Sequence, residues 1–139
     1  MSNNKIAILG LGYVGLPLLQ AFSRFYEVIG FDISSKRIND IKSSTIINNK
    51  SLANDVFFTS KKSKLSDANI YIITVPTPLN EDNSPDLSKI KLASEIVAQN
   101  ISQGNIVIYE STVYPGVTED FCVPIIEKIS KLNYNKDFY

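Results

Sequence analysis

The residues of this chain best suited to chemistry are three glycines, an aspartate and a few hydroxyls. Gly10, Gly12 and Gly15 give the spacing G-x-G-x-x-G inside ILGLGYVGLP, residues 9–18. In that spacing the first glycine takes a tight turn. The second leaves the backbone bare toward a pyrophosphate, and the third lets a helix lie close to a strand. The helix start then offers unpaired N–H donors and a partial positive charge to phosphate oxygens. Three glycines alone also suit a glycine-rich turn of an unrelated α/β protein. Asp32 adds weight to the first reading. It ends the run EVIGFD, 20 positions after Gly12, where a carboxylate accepts hydrogen bonds from both hydroxyls of an adenosine ribose. There it would repel the extra phosphate of NADP, so the expected dinucleotide is NAD. A helix-capping role is the alternative for Asp32. Arg37, one turn into the next helix, either lies at the adenine or its ribose or is a solvated charge.

Two further loops could meet the rest of a dinucleotide. VPTPLNEDNSPD carries Thr77 between Pro76 and Pro78, and ESTVYPG carries Ser111 and Thr112. A hydroxyl in a rigid loop can meet a phosphate or the nicotinamide ribose; Thr77 equally suits a stiff turn. Ser111 and Thr112 suit the nicotinamide end, an ordered water, or a turn cap. Glu110 is either buried and paired or simply a strand end. Cys122 is flanked by Phe121, Val123, Ile125 and Ile126 and has no basic neighbour in sequence. It reads as a small core residue rather than a reactive thiol.

The elements that must position these groups follow from periodicity. KIAIL is a strand buried on both faces, the habit of parallel sheets. A helix is expected from near Tyr13, with apolar residues at 14, 18, 19, 22 and 25. Pro17 must then lie near its start. EVIGFD is a second strand, and SSKRINDIKSS a helix with Ile38 and Ile41 inward. Residues 43–54 read as loop, DVFFTS as a weak strand, and KKSKLSDA as a short helix or turn. NIYIITVP (69–76) is the strongest strand. Asp86 is placed to cap a helix from Leu87 to about Ile101, and QG at 103–104 closes it. NIVIYES (105–111) reads as another buried strand. A last helix is expected over Val117–Ser130, with Pro124 bending it or shifting its true start. DFY looks like the lead-in to a further strand. The predicted fold is α/β, three-layer and Rossmann-type, with a mostly parallel doubly wound sheet that is C-terminally truncated.

Composition narrows the function. Fourteen basic and fourteen acidic residues cancel, so nothing steers the chain toward nucleic acid or an anionic membrane. Histidine is absent and cysteine occurs once. That excludes a Ser-His-Asp triad, an intrachain disulfide and a Cys/His zinc site from this chain, and a reducing cytoplasm is the expected location. The uncharged run 6–19 is short for a membrane span of ~20 residues. It lacks a cleavage site of the secretory kind.

GLGYVGLPL, GFDISSKRI, YIITVPTP and IYESTVYPGVTE together resemble the N-terminal domain of the UDP-glucose/GDP-mannose dehydrogenase family. The resemblance runs from Lys5 to Phe138 and is nearest the bacterial branch acting on UDP-N-acetylhexosamines for surface polysaccharides such as capsule. It implies oxidation of a sugar C6 alcohol to the uronate in two NAD-dependent steps, through an aldehyde held by a catalytic cysteine. It also implies that residues 1–139 are the NAD-binding portion of a larger enzyme, a homodimer when complete. The catalytic cysteine, lysine and aspartate would lie downstream, so the fragment alone would be inactive. By the same resemblance Gly10, Gly12, Tyr13, Val14 and Gly15 form the pyrophosphate loop, and Asp32 and Arg37 the adenosine-ribose pair. Val75, Thr77, Ser111 and Thr112 complete the cofactor contacts, with Thr112 also supporting the reaction. No metal is expected. A stand-alone NAD-binding regulatory module and another Rossmann dehydrogenase are the alternatives.

Overall fold

The computed structural model describes residues 4–43 and 56–139. The expected loop at 43–54 lies outside the described residues, save for Ser43, which ends a helix. Five short apolar runs form strands: β1 (Lys5–Leu9), β2 (Glu27–Phe31), β3 (Val56–Thr59), β4 (Ile70–Ile73) and β5 (Ile106–Tyr109). They build one sheet in the order β3-β2-β1-β4-β5, and every neighbouring pair is parallel. The strand order reverses at β1, which has β2 on one side and β4 on the other. That is the switch point of a doubly wound sheet, where ligands bind beyond the carboxyl ends of the strands.

Alternation along the strands feeds two cores. Ile6, Ile8, Val28 and Ile72 face Leu19 of α1 (Gly15–Phe22) and Ile38 and Ile41 of α2 (Ser35–Ser43). Ala7, Leu9, Ile29, Tyr71 and Ile73 face Ala93, Ile96 and Val97 of α3 (Ser88–Ala98). α4 (Val123–Ser130) packs outside α3 through Ala98 and Ile126. Both faces of β1, β2 and β4 are therefore covered, which is why these runs lack polar alternation.

Several boundaries differ from expectation. α1 starts at Gly15 rather than near Tyr13 and closes at Ser23, whose N–H bonds Leu19. Phe25 lies past it, 80% exposed, so it does not share the inner face. β4 is shorter than 69–76, although Thr74 N–H still reaches the Leu9 carbonyl at 2.9 Å and extends the ladder. α3 stops at Ala98 and Ile101 packs on the core from the following turn. β5 is an edge strand, not a strand buried on both faces. Val107 and Tyr109 pack toward α3, but Ile106 and Ile108, on the other face, are 40% and 36% exposed among the described residues. At the last helix Pro124 shifts the start. Val117–Cys122 forms a π-helical turn and the α-helix proper begins at Val123, with Pro124 in its first turn, where proline is best tolerated. DFY does reach the sheet. Tyr139 N–H bonds the Asn105 carbonyl at 3.0 Å and its carbonyl accepts from Val107 N–H at 2.7 Å, the parallel pattern around Ile106.

One buried polar group anchors the α3 side. The Tyr71 hydroxyl donates to the Leu65 carbonyl at 3.0 Å, with the Ala68 and Asn100 carbonyls each 3.2 Å away. Its ring is fully buried, and burial, aided by the Asp67 charge, pushes the phenol up to about 12. Because the folded value lies above the unfolded one, this group's contribution is complete below about pH 10 and is lost as pH rises toward 12. Tyr71→Phe is expected to lower the unfolding free energy by about 1 kcal/mol at pH 8. It should also flatten the decline in stability above pH 10; urea titrations at both pH values check both effects.

Candidate functional site

The site forms where β1, β2 and β4 end together. Gly10 follows β1 with φ +99°, a left-handed conformation suited to glycine. It turns the chain so that Gly15, the first residue of α1, comes back against it. A Cβ at Gly15 would overlap the Gly10 carbonyl and sit 2.5 Å from Thr74 Oγ1. The Thr74 hydroxyl, buried at the end of β4, donates to the Gly10 carbonyl at 2.6 Å, with the Leu9 carbonyl at 3.1 Å. Gly12 is different. A Cβ there would meet nothing within 4 Å. No internal packing demands glycine at that position, so its bareness serves whatever approaches from outside.

What the loop offers outward is backbone. The N–H groups of Gly12, Tyr13, Val14 and Gly15 have no acceptor among the described residues. Leu16 N–H is already turned to the Gly12 carbonyl at 3.2 Å. Four uncommitted donors at the mouth of α1, beside an open glycine, suit an anionic group such as a diphosphate without needing a cationic side chain. Tyr13 and Val14 stand exposed at its rim.

Asp32 and Arg37 grip the same loop through Leu11. The Leu11 N–H donates to Asp32 Oδ2 at 3.0 Å, and Arg37 Nε donates to the Leu11 carbonyl at 2.8 Å. The other Asp32 oxygen accepts from Ser34 N–H at 2.9 Å. The helix-capping role goes to Ser34, whose Oγ accepts from Arg37 N–H at 3.1 Å. A carboxylate oxygen has further lone pairs, so Asp32 can hold Leu11 and still accept from a sugar diol. A cavity of about 480 Å³ gathers Gly10, Gly12, Asp32, Arg37 and Val75, and its far wall is Lys89, Leu92, Ala93 and Ile96 of α3. A second cavity, about 470 Å³, lies at the opposite end of the strands beside Lys5 and Glu27. It is remote from the glycine loop and on the side of the sheet where doubly wound folds do not bind ligands.

The two loops beyond β4 and β5 are stapled to each other. Thr77 Oγ1 donates to the Thr112 carbonyl at 2.7 Å, and Ser111 Oγ donates to the Val75 carbonyl at 2.6 Å. Thr77 and Ser111 thus hold the loops in register. The Thr112 hydroxyl has no partner among the described residues, and the residue is exposed. Thr77, Ser111, Thr112, Tyr13, Val14 and Gly15 lie outside the cavity wall that holds Asp32. Cys122 is fully buried beside the Tyr109 and Ser94 hydroxyls, and burial pushes its thiol up, the wrong direction for a nucleophile. Two contributors escaped sequence reasoning. Thr74 is signalled only by a hydroxyl closing an apolar strand opposite the glycines. Lys89 carried no signal, being one more lysine on an amphipathic helix.

Residues 4–139 match the model of the UDP-glucose/GDP-mannose dehydrogenase family, NAD binding domain. The chain belongs to this family. NAD is the cofactor that its domain binds, and the open face at Gly12 and the unpartnered amides fit a dinucleotide. UDP-N-acetyl-D-glucosamine 6-dehydrogenase of Salmonella typhi is 47% identical over 97% of the chain and 33% of its own length. The structure of UDP-D-ManNAc dehydrogenase from Pyrococcus horikoshii superposes with TM-score 0.86 at 35% identity, over 97% of this chain and 34% of that one. A ternary complex of GDP-mannose dehydrogenase from Pseudomonas aeruginosa gives 0.85 at 27% identity, over 96% and 34%. The chain spans about a third of the length of these relatives.

The two helix-side glycines should separate in their effects. Gly15→Ala must push Gly10 off Thr74 and is expected to cost at least about 2 kcal/mol of stability. Gly12→Ala, facing open space, should stay within about 0.5 kcal/mol. Paired denaturant titrations of the two variants check this.

Proposed function

We propose that this chain is the NAD-binding N-terminal part of a nucleotide-sugar 6-dehydrogenase, which oxidises the C6 alcohol of a UDP-N-acetylhexosamine or UDP-glucose to the uronate. Polysaccharide synthesis in a bacterial cytoplasm is the setting that fits a 47%-identical UDP-N-acetyl-D-glucosamine 6-dehydrogenase. Among the described residues no helix is long and apolar enough to cross a membrane, and no cluster of side chains suits a metal ion. The observation that carries the proposal is the loop at Gly12, bare on its outer face and lined by uncommitted amides, with the Asp32 carboxylate alongside.

In this reading the amides of Gly12 through Gly15 hold the diphosphate and Asp32 holds the adenosine diol. Arg37 keeps the loop against Asp32 through Leu11. NAD, when bound, supplies the hydride acceptor. Thr77 and Ser111 fix the two loops that flank the nicotinamide end, and the Thr112 hydroxyl is left to meet the reacting groups. The nucleophilic cysteine, its lysine and aspartate partners and the contacts of a homodimer belong to the two-thirds of the relatives' length that this chain does not span.

Calorimetric titration tests the reading. The chain should bind NAD, and Gly12→Ala and Asp32→Asn should each weaken binding by at least about tenfold with folding retained. Unchanged affinity in both variants would reject the site. Incubated with NAD and UDP-N-acetylglucosamine, the chain is expected to give no NADH; sustained turnover would overturn its assignment as a cofactor-binding part alone.

A further inference from the structure

The glycine loop leaves its donors free and has nearly all of its acceptors taken. The Leu11 carbonyl accepts from Arg37 Nε at 2.8 Å. Those of Gly12 and Val14 accept from Leu16 N–H and Leu18 N–H, each at 3.2 Å. The Tyr13 carbonyl is the exception, because Pro17, four positions on, has no N–H to offer it. The Gly10 carbonyl differs from all of these. No backbone N–H among the described residues reaches it, and its one donor there is the Thr74 hydroxyl at 2.6 Å. That hydroxyl also lies 3.1 Å from the Leu9 carbonyl, which already accepts from Thr74 N–H at 2.9 Å. Its proton therefore belongs to Gly10. On the same peptide unit, Leu11 N–H donates to Asp32 Oδ2 at 3.0 Å. One peptide unit is thus pinned at both ends, its N–H from the tip of β2 and its oxygen from the end of β4.

Release of that oxygen matters to an anion. The Gly10 carbonyl lies so close to Gly15 that a Cβ there would overlap it. A carbonyl without a protein donor turns toward water, and the open space beside this turn is at Gly12. An acceptor swung that way repels phosphate oxygens and disturbs the amides from Gly12 to Gly15. We propose that Thr74 is a positioning residue of the cofactor site: its hydroxyl holds the Gly10 carbonyl inside and so keeps the loop's amides aimed at the diphosphate. The inference rests on the NAD-site reading above and extends it to a buried residue that acts through Gly10 rather than on NAD itself.

The test is Thr74→Ala, which removes the donor without adding bulk; valine would drive a methyl group into the Gly10 carbonyl. Association constants are measured by NMR titration of the folded chain with NAD, with ADP-ribose and with adenosine, which lacks the diphosphate. Thr74→Ala is expected to weaken NAD and ADP-ribose by about tenfold and to leave adenosine unchanged. Thr74→Ser restores the hydroxyl and should bind NAD within about threefold of the native chain. If Thr74→Ala does not fold, Thr74→Cys takes its place, its thiol being a weak donor. Native affinity for NAD in the variant overturns the role of Thr74. So does a loss shared equally by adenosine, or a serine variant no better than the alanine one. In each of those cases NAD binding by the native chain leaves the parent reading standing. Failure of the folded native chain to bind NAD removes both.

Discussion

The structure depends on one close approach, Gly10 against Gly15. The chain leaves β1, turns at a left-handed glycine and returns at the first residue of α1, with no room between them for a Cβ. Everything useful about the site follows from that proximity. The tight return holds the amides from Gly12 to Gly15 at the helix mouth, away from any protein acceptor among the described residues. It places the mouth over the carboxyl ends of the central strands. Thr74 closes the arrangement from β4, because its hydroxyl holds the carbonyl that Gly15 touches. The strand order matters here. β4 lies beside β1 because the sheet reverses at that point, so a residue 64 positions away in sequence can pin the turn.

A neutral chain can still present a local surface suited to an anion, because backbone N–H groups carry no formal charge. Its 14 basic residues equal its 14 acidic ones. The surface at the mouth of α1 is built from backbone donors, which add nothing to net charge but act together at a helix start. Side-chain charge stands beside it: Asp32, Arg37 and Lys89 line the neighbouring cavity. Arg37 braces Leu11 through its Nε and also adds positive charge to the cavity.

Features that depend on local chemistry were legible in the sequence. The glycine spacing, the acid at the tip of β2 and the unbroken apolar runs of β1, β2 and β4 all announce a parallel doubly wound sheet. Pro124 correctly warned that the last helix could not run straight from Val117, but nothing in the sequence announced that a π-helical turn would precede it. Features that depend on what lies across space were less legible. IVIY in β5 has the same apolar character as IYII in β4, yet one is an edge and the other is central. Phe25 continues a helical spacing past the point where Ser23 closes the helix, so periodicity alone misplaces it. Thr77 and Ser111 drew attention as hydroxyls near a cofactor. Their own protons go to carbonyls of the neighbouring loop, a pairing across space that the sequence does not announce.

Those two staples bear on how the loops beyond β4 and β5 are organised. A hydroxyl that donates its only proton to a backbone carbonyl has lone pairs left but no donor to spare. Thr77 and Ser111 are therefore confined to accepting hydrogen bonds or to holding the loops, while the Thr112 hydroxyl has no acceptor among the described residues. The donor sits on the very residue whose carbonyl Thr77 holds. Rigid support and chemical freedom thus coincide at one position, and each depends on the other. If Thr77 released the Thr112 carbonyl, the hydroxyl of Thr112 would keep its chemistry and lose its place. The prolines on either side of Thr77 limit that release, because they restrict the backbone from which the supporting hydroxyl projects.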